Sequence, residues 1–326
     1  MDTTPHFESL LIFRTFKASS IHMDFNPMQE PIAVQKTFRL KGVLFIMLGA
    51  FCFALAPVWV RSIEAYSPIS IVFFRALIGS VPLFIWVSRS PSIRKQADPR
   101  QWGWQHCLVL FGIGLSMCST ASFYYYAILK TTVAKAVLLH YTAPIYVALL
   151  SPLLLKEKNT LMTWIAVGIG FIGTALIAEP AVLTESSRDE IIGIISALLS
   201  GLCLSGVFLF GKFLSGHIPS LVRTMWGCMI VAILLLPWGI IIPSGYFWTN
   251  LPFLVILGTV SLVLPYTLFF KAQNYISAQA ASITALFEPV CGVAIGFLIY
   301  GEHLSLIGGI GAAAVMASIY ISVYRR

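Results

Sequence analysis

The sequence predicts an all-α integral membrane protein in which ten transmembrane helices form two inverted five-helix repeats around a central cavity. Three observations carry this reading: a composition outside the soluble range, ten apolar stretches of spanning length, and a duplication that relates the two halves of the chain. Of 326 residues, 58% are hydrophobic and only 10% charged. The mean hydropathy is +0.87, which excludes an ordinary soluble globular chain.

The apolar stretches cover residues 42–60, 67–87, 105–129, 131–155, 160–178, 191–210, 219–242, 251–270, 278–300 and 304–324. Each is close to the roughly 20 residues that a helix needs to cross about 30 Å of hydrocarbon. Short connections make neighbouring helices antiparallel and leave little room for a soluble domain. Residues 1–41 are polar and mixed in charge, with an apolar run only from Leu10 to Phe13, too short for the core of a secretory signal. They are expected to form a flexible cytoplasmic tail, within which Met23 and Met28 are also available as starts.

The duplication centres on residues 131–157. Placing Pro144 on Pro289 shifts the chain by 145 positions, and the same shift aligns Glu157 with Glu302, Ala127 with Ala272, Ala136 with Ala281, Leu153 with Leu298 and Leu161 with Leu306 without a gap. Residues 42–178 are therefore read as the first repeat, residues 179–190 as an acidic external linker and residues 191–326 as the second repeat. Five helices per repeat make the copies enter the membrane from opposite sides. Inverted copies enclose a site near the midplane, which opens to either face when one half rocks against the other.

Orientation follows from positive charge, which resists translocation. With the N-terminus cytoplasmic, fifteen of the 21 Lys and Arg lie in inward loops and termini, while Arg61, Lys130 and Arg188 lie outward and Arg75, Lys135 and Arg223 fall inside apolar spans. Both termini are then cytoplasmic. The net charge of +8 belongs to this pattern and does not indicate a nucleic-acid partner. The six cysteines lie in or beside apolar spans without a CxxC or His/Cys cluster, so neither a metal site nor a disulfide framework is expected.

Ionisable groups deep in a span are costly and face protein or water. Arg75 lies about 12 Å into the second span at 1.5 Å per residue, and reads either as a clamp for an anion or as a structural partner of Glu288 or of backbone carbonyls. Lys135, a turn inside the fourth span, either contacts substrate or extends to the external interface. His140 and Tyr141 occupy the middle of that span; the imidazole reads as an interhelical hydrogen-bonding group or as one that contacts substrate or couples protons. Glu288, about eleven residues from either end of the ninth span, carries a proton if it stands alone and is a fixed structural charge if paired with Arg75 or Lys135. Trp59 and Tyr266, with Tyr124, Tyr125 and Tyr126, are candidate cavity walls for rings or cations, although most membrane aromatics pack or belt the interface. Pro144 and Pro289 each remove a backbone hydrogen bond and are candidate hinges. Glu157 and Glu302 end their helices where the dipole disfavours an acid, so they are read as structural groups with specific partners, such as the amides of the next helix or Lys156 or His303. Arg223, one turn into the seventh span, is expected to reach back to the cytoplasm.

Together, Pro144 with Glu157, Glu288-Pro289 with Gly301-Glu302, Arg75 early in the second span, and glycine-rich fifth and tenth spans resemble the drug/metabolite transporter superfamily. The resemblance is to its ten-helix members with two EamA-type repeats and covers residues 41–326. It implies a basket of ten helices around a central cavity, alternating access without a cofactor, and cargo drawn from amino acids, nucleotide-linked compounds or other small metabolites, often moved outward. Location in a bacterial inner membrane goes with it. Lys135 and His140 depart from what a carrier of neutral compounds is expected to have, which disfavours a purely hydrophobic substrate.

The leading expectation is a secondary transporter, acting as exporter or facilitator, for a small polar metabolite, first an amino acid or related zwitterion or anion. No Walker motif is present, so ATP is not the direct driver, and protons are the candidate coupling ion. The alternative within transport is an exporter of drug-like or cationic compounds, which needs Glu288 free of Arg75. A membrane receptor or channel is the alternative from another class. An enzyme is not expected, because the acids are too scattered for paired catalytic groups. Expected partners are the substrate, membrane lipid and, as a further candidate, a second copy of the chain.

Overall fold

The computed structural model describes residues 32–178, 188–241, 245–301 and 305–324, and the bundle proper comprises Phe38–Arg326. Among the described residues, ten helical spans are long and apolar enough to cross a membrane. The first span is α1 (Ile32–Ala54) continued by α2 (Ala56–Val60), the second is α3 (Pro68–Arg89), and a short helix α4 (Pro91–Ala97) follows it. The third span is α5 (Trp104–Lys130), the fourth is divided into α6 (Val133–His140) and α7 (Ala143–Leu154), and the fifth is α8 (Leu161–Ala178). In the second half, α9 (Arg188–Phe213) and α10 (Ser220–Gly239) are the sixth and seventh spans. The eighth is α11 (Phe247–Gly258), a π turn at Thr259–Val263 and α12 (Leu264–Ala272). The ninth is α13 (Ala278–Ala285) with α14 (Phe287–Tyr300), and the tenth is α15 (Leu306–Tyr324).

The duplication is visible in the packing. Spans two and seven, four and nine, and five and ten each lie against their own copies, and α11 meets α3 as α10 meets α5. Local signals are copied with them: Thr132 caps α6 by accepting from Lys135 N at 3.3 Å, and 145 positions later Ser277 caps α13 by accepting from Ala280 N at 3.2 Å. Without competing water, each such bond satisfies an amide that the helix itself leaves open.

Two close backbone approaches set the spacing. A Cβ on Gly173 would stand 2.8 Å from Gly311 O, and one on Gly311 would stand 2.6 Å from Gly173 O, so only glycine lets α8 and α15 meet this closely. A Cβ on Gly79 would likewise lie 2.6 Å from Gly258 O, between α3 and α11. Gly292, by contrast, faces open space.

Helix ends on one side of the bundle are closed by basic side chains. Arg39 donates to Val323 O at 3.3 Å, and Lys212 donates to Gln273 O at 2.5 Å and Ile276 O at 2.8 Å. Arg223 does not reach back to water as its position suggests. It is fully buried, donating to Gly211 O and, at 2.9 Å, to Phe270 O, with its guanidinium 5.2 Å from the Phe270 ring. Carbonyls in the last turns of α9 and α12 have no intrahelical donor, and in an apolar surrounding they hold the cation more strongly than a distant interface does. Two other differences are local. Helix α1 begins ten residues before the apolar run that announces it, and Asp189 and Glu190, read as the end of the linker, form the first turn of α9.

The glycine contact gives a direct test. Gly173→Leu forces backbone against backbone and is expected to cost about 1–3 kcal/mol, read as a lowered unfolding midpoint in lipid or detergent. Gly168→Ala on the same helix, where nothing lies within 4 Å, is expected to stay within about 0.5 kcal/mol of the parent.

Candidate functional site

The centre of the molecule is organised by interrupted helices. The fourth span breaks at Tyr141 and Thr142, two residues before Pro144 takes the second position of α7. The ninth breaks at Leu286, three residues before Pro289. At both breaks the ladder tightens: Thr142 N donates to Leu139 O at 3.2 Å and Leu286 N to Ile283 O at 3.1 Å. The first span breaks at Leu55 ahead of Pro57, and the eighth passes through its π turn ahead of Pro265. Proline alone is not enough, since Pro82, Pro152, Pro237 and Pro252 sit inside continuous helices. The matched kinks at Pro144 and Pro289 are therefore real breaks, and partner helices cover the freed carbonyls. A Cβ on Gly201 of α9 would stand 2.8 Å from His140 O and 3.0 Å from Leu139 O.

Glu288 lies in the first turn of α14, where the half-helix presents its positive end to the carboxylate. The Tyr141 hydroxyl is within hydrogen-bonding reach of this carboxyl, and Tyr124, Tyr266 and Cys291 lie within its electrostatic reach. The two prolines thus bring Tyr141 at one break to Glu288 at the other. His140 joins the cluster through its rings, 4.6 Å from Tyr124 and 5.2 Å from Tyr141. Its Nδ1 stands 2.7 Å from Ser200 Oγ, while Ser200 gives its single hydroxyl proton to Ala197 O at 2.9 Å. The imidazole must then donate from Nδ1, which leaves Nε2 of a neutral ring as an acceptor.

Arg75 is half-buried in α3, and its Nε is buried without a partner. It makes no hydrogen bond or ion pair with another described residue, and it is within electrostatic reach of Tyr266 and Cys228. Neither structural reading of Arg75, a bond to Glu288 or one to backbone carbonyls, is found among the described residues. Tyr266 lies within electrostatic reach of both Arg75 and Glu288. Its ring packs edge-on against Phe53 at 5.1 Å, tying the first span to the eighth.

Lys135 is not brought to this cluster. It is buried at the start of α6 and forms an ion pair with Glu190 at the start of α9, beside a second pair, Lys130 with Asp189, at 3.1 Å. Trp59 is half-buried with an indole N–H that has no partner among the described residues, and Tyr126 is exposed. Glu157 accepts from Ala278 N at 3.1 Å, capping α13 of the opposite repeat and not the following helix. Beside it Gln279 Nε2 donates to Ser151 Oγ at 2.7 Å and to Asn159 Oδ1. Glu302 lies outside the described residues.

Ser200, Glu190, Gln279 and Asn159 escaped the sequence reading. Glu190 was the most findable, as an acid in the first turn of a span that follows a buried lysine by one outward loop. Among the described residues no group of three or more His, Cys, Asp or Glu could hold a metal ion.

Comparison with known proteins agrees with the two-repeat architecture. Residues 40–178 and 191–324 both match the EamA-like transporter family, one match per repeat. An uncharacterized transporter of Archaeoglobus fulgidus is 30% identical over 283 residues, spanning 86% of this chain and 96% of the relative. The uncharacterized transporter YwfM of Bacillus subtilis is 26% identical over 290 residues, spanning 85% and 92%. One solved protein structure shares the fold, with a TM-score of 0.71 at 16% identity over 89% of this chain and 96% of its own. The chain is a multi-pass integral membrane protein and belongs to the EamA-like transporter family.

Proposed function

We propose that the protein is a secondary transporter of a small zwitterionic metabolite, an amino acid or a close relative, acting as an exporter or facilitator by alternating access. The observation that carries the reading is Arg75, a half-buried guanidinium within a membrane span whose Nε has no partner. An arginine in that setting needs an anion. A substrate carboxylate supplies one, and Glu288, across Tyr266, is then the acceptor for the substrate ammonium. Tyr141 and Tyr124, with His140 against them, line the Glu288 side of the site.

In this reading the breaks at Pro144 and Pro289 are the hinges, because they are the points where the two central spans already lack a continuous ladder. Protons are the coupling ion, carried at Glu288. Both termini are cytoplasmic and the host is a bacterial inner membrane, which the charge bias of the loops supports. The separation of Glu288 from Arg75 equally suits an exporter of cationic compounds. That second reading uses Glu288 and the tyrosines and leaves Arg75 without a role.

Two outcomes test these assignments in proteoliposomes. Arg75→Gln is expected to raise the half-saturating concentration for zwitterionic substrates in a counterflow assay by about 10- to 100-fold, the value of a charge-assisted hydrogen bond of about 1.5–3 kcal/mol; an unchanged value removes the anion site. Lys135→Gln is expected to lower stability instead, since it breaks the Lys135–Glu190 ion pair, whose lysine is buried.

Glu288→Gln is expected to abolish the pH dependence of uptake and, because it removes the acceptor of the ammonium, to raise the half-saturating concentration in counterflow by about tenfold, while exchange at saturating substrate and fixed pH persists. Retention of full pH-dependent uptake shows that Glu288 is not the proton carrier.

A further inference from the structure

A hollow of about 720 Å³ lies where the second span ends, away from the tyrosine cluster. Its apolar side is Phe84 and Val87 of α3 with Met225 and Trp226 of α10, and its polar side carries Arg94 and Lys95 of α4. We propose that this hollow binds the headgroup and upper acyl chain of an anionic phospholipid.

The wall is held in place by bonds that do not involve the basic side chains. Trp226 Nε1 donates to Ala97 O at 3.3 Å, Trp102 Nε1 donates to Gln96 O at 3.1 Å, and the two indoles meet edge-on at 6.4 Å. Asp98, the acid in the lining, is already engaged, its Oδ1 accepting from Arg100 N at 3.0 Å. Arg94 and Lys95 are exposed and make no side-chain hydrogen bond or ion pair with a described residue. Arg94 and Lys95 thus outweigh the one acid among the lining residues, Asp98, and the positive balance favours an anion.

The rest of the lining selects an amphiphile. Phe84 is 53% exposed, so the apolar side opens onto the surface that hydrocarbon covers. A free phosphate would meet the two cations and leave the apolar side and most of the volume unfilled. A phospholipid places its phosphate on Arg94 and Lys95 and its chain along Phe84 and Val87. Basic pockets at the ends of membrane helices suit anionic headgroups for this reason, and a zwitterionic headgroup brings its own cation into repulsion with them.

Native mass spectrometry of the full-length protein in mild detergent tests this, with phosphatidylglycerol, phosphatidylcholine or inorganic phosphate added at equal concentration. At least 10-fold more retained phosphatidylglycerol than phosphatidylcholine is expected. The double substitution Arg94→Gln with Lys95→Gln should remove at least 5-fold of that preference, while the exposed Lys158→Gln leaves it intact. The unfolding midpoint without added lipid checks that the variants are folded, and the two single substitutions are read in the same way if the double variant is not. Equal retention of the two lipids, an unchanged preference in the folded variants, or displacement of phosphatidylglycerol by inorganic phosphate overturns the proposal.

Discussion

A backbone group in hydrocarbon must find its partner inside the protein, at a cost of several kcal/mol if it does not. The breaks in the fourth and ninth spans put carbonyls and amides in that position at mid-membrane, and much of the architecture serves to cover them. Gly201 lets α9 come against the end of α6, and Thr142 Oγ1 donates to Leu139 O at 2.6 Å. At the outer ends of the same two spans Thr132 and Ser277 cap the helices, and Glu157 reaches across the repeat boundary to Ala278 N. The interrupted helices are thus pinned at their starts and covered at their breaks, so movement is concentrated where the ladder is already interrupted.

The same constraint explains where the charges go. Arg39, Lys212 and Arg223 close carbonyls at or near helix C-termini, so basic residues at the ends of spans also complete the hydrogen bonding of the bundle. Lys135 is satisfied by Glu190. What is left over is Arg75, unpaired, and Glu288, held at a half-helix N-terminus among tyrosines. The scaffold is duplicated, but Arg75 and Glu288, which form no ion pair among the described residues, are not copies of each other, and a central site between inverted repeats would gain its chemical direction from that asymmetry.

The fold was legible because its signals are local or periodic. Apolar length, short loops and the shift of 145 positions gave ten spans and their inversion, and Pro144 and Pro289 marked the two central breaks. The site was half legible. Glu288, Tyr141, His140, Tyr266 and Arg75 were singled out as ionisable or aromatic groups inside spans, and the structure sets Tyr141 and Tyr266 within reach of Glu288, His140 against Tyr141, and Arg75 within reach of Tyr266. Pairing was not legible. Lys135 finds Glu190 and Glu157 finds Ala278 N across 55 and 121 positions, and no spacing rule reports which helix faces which. Arg223 was misjudged for a related reason: its depth of one turn says that water is near, but not that unfilled carbonyls are nearer.

The central claim is that one substrate uses both leftover charges at once. The most direct measurement compares an amino acid that the protein exchanges in counterflow with its two half-analogues, the amine lacking the carboxylate and the acid lacking the ammonium, as competitors in proteoliposomes. The account predicts that each half-analogue competes at least about tenfold more weakly than the zwitterion, since each leaves one buried charge unanswered. An amine that competes as well as the amino acid would contradict it and leave Glu288 as the only charge that the substrate meets.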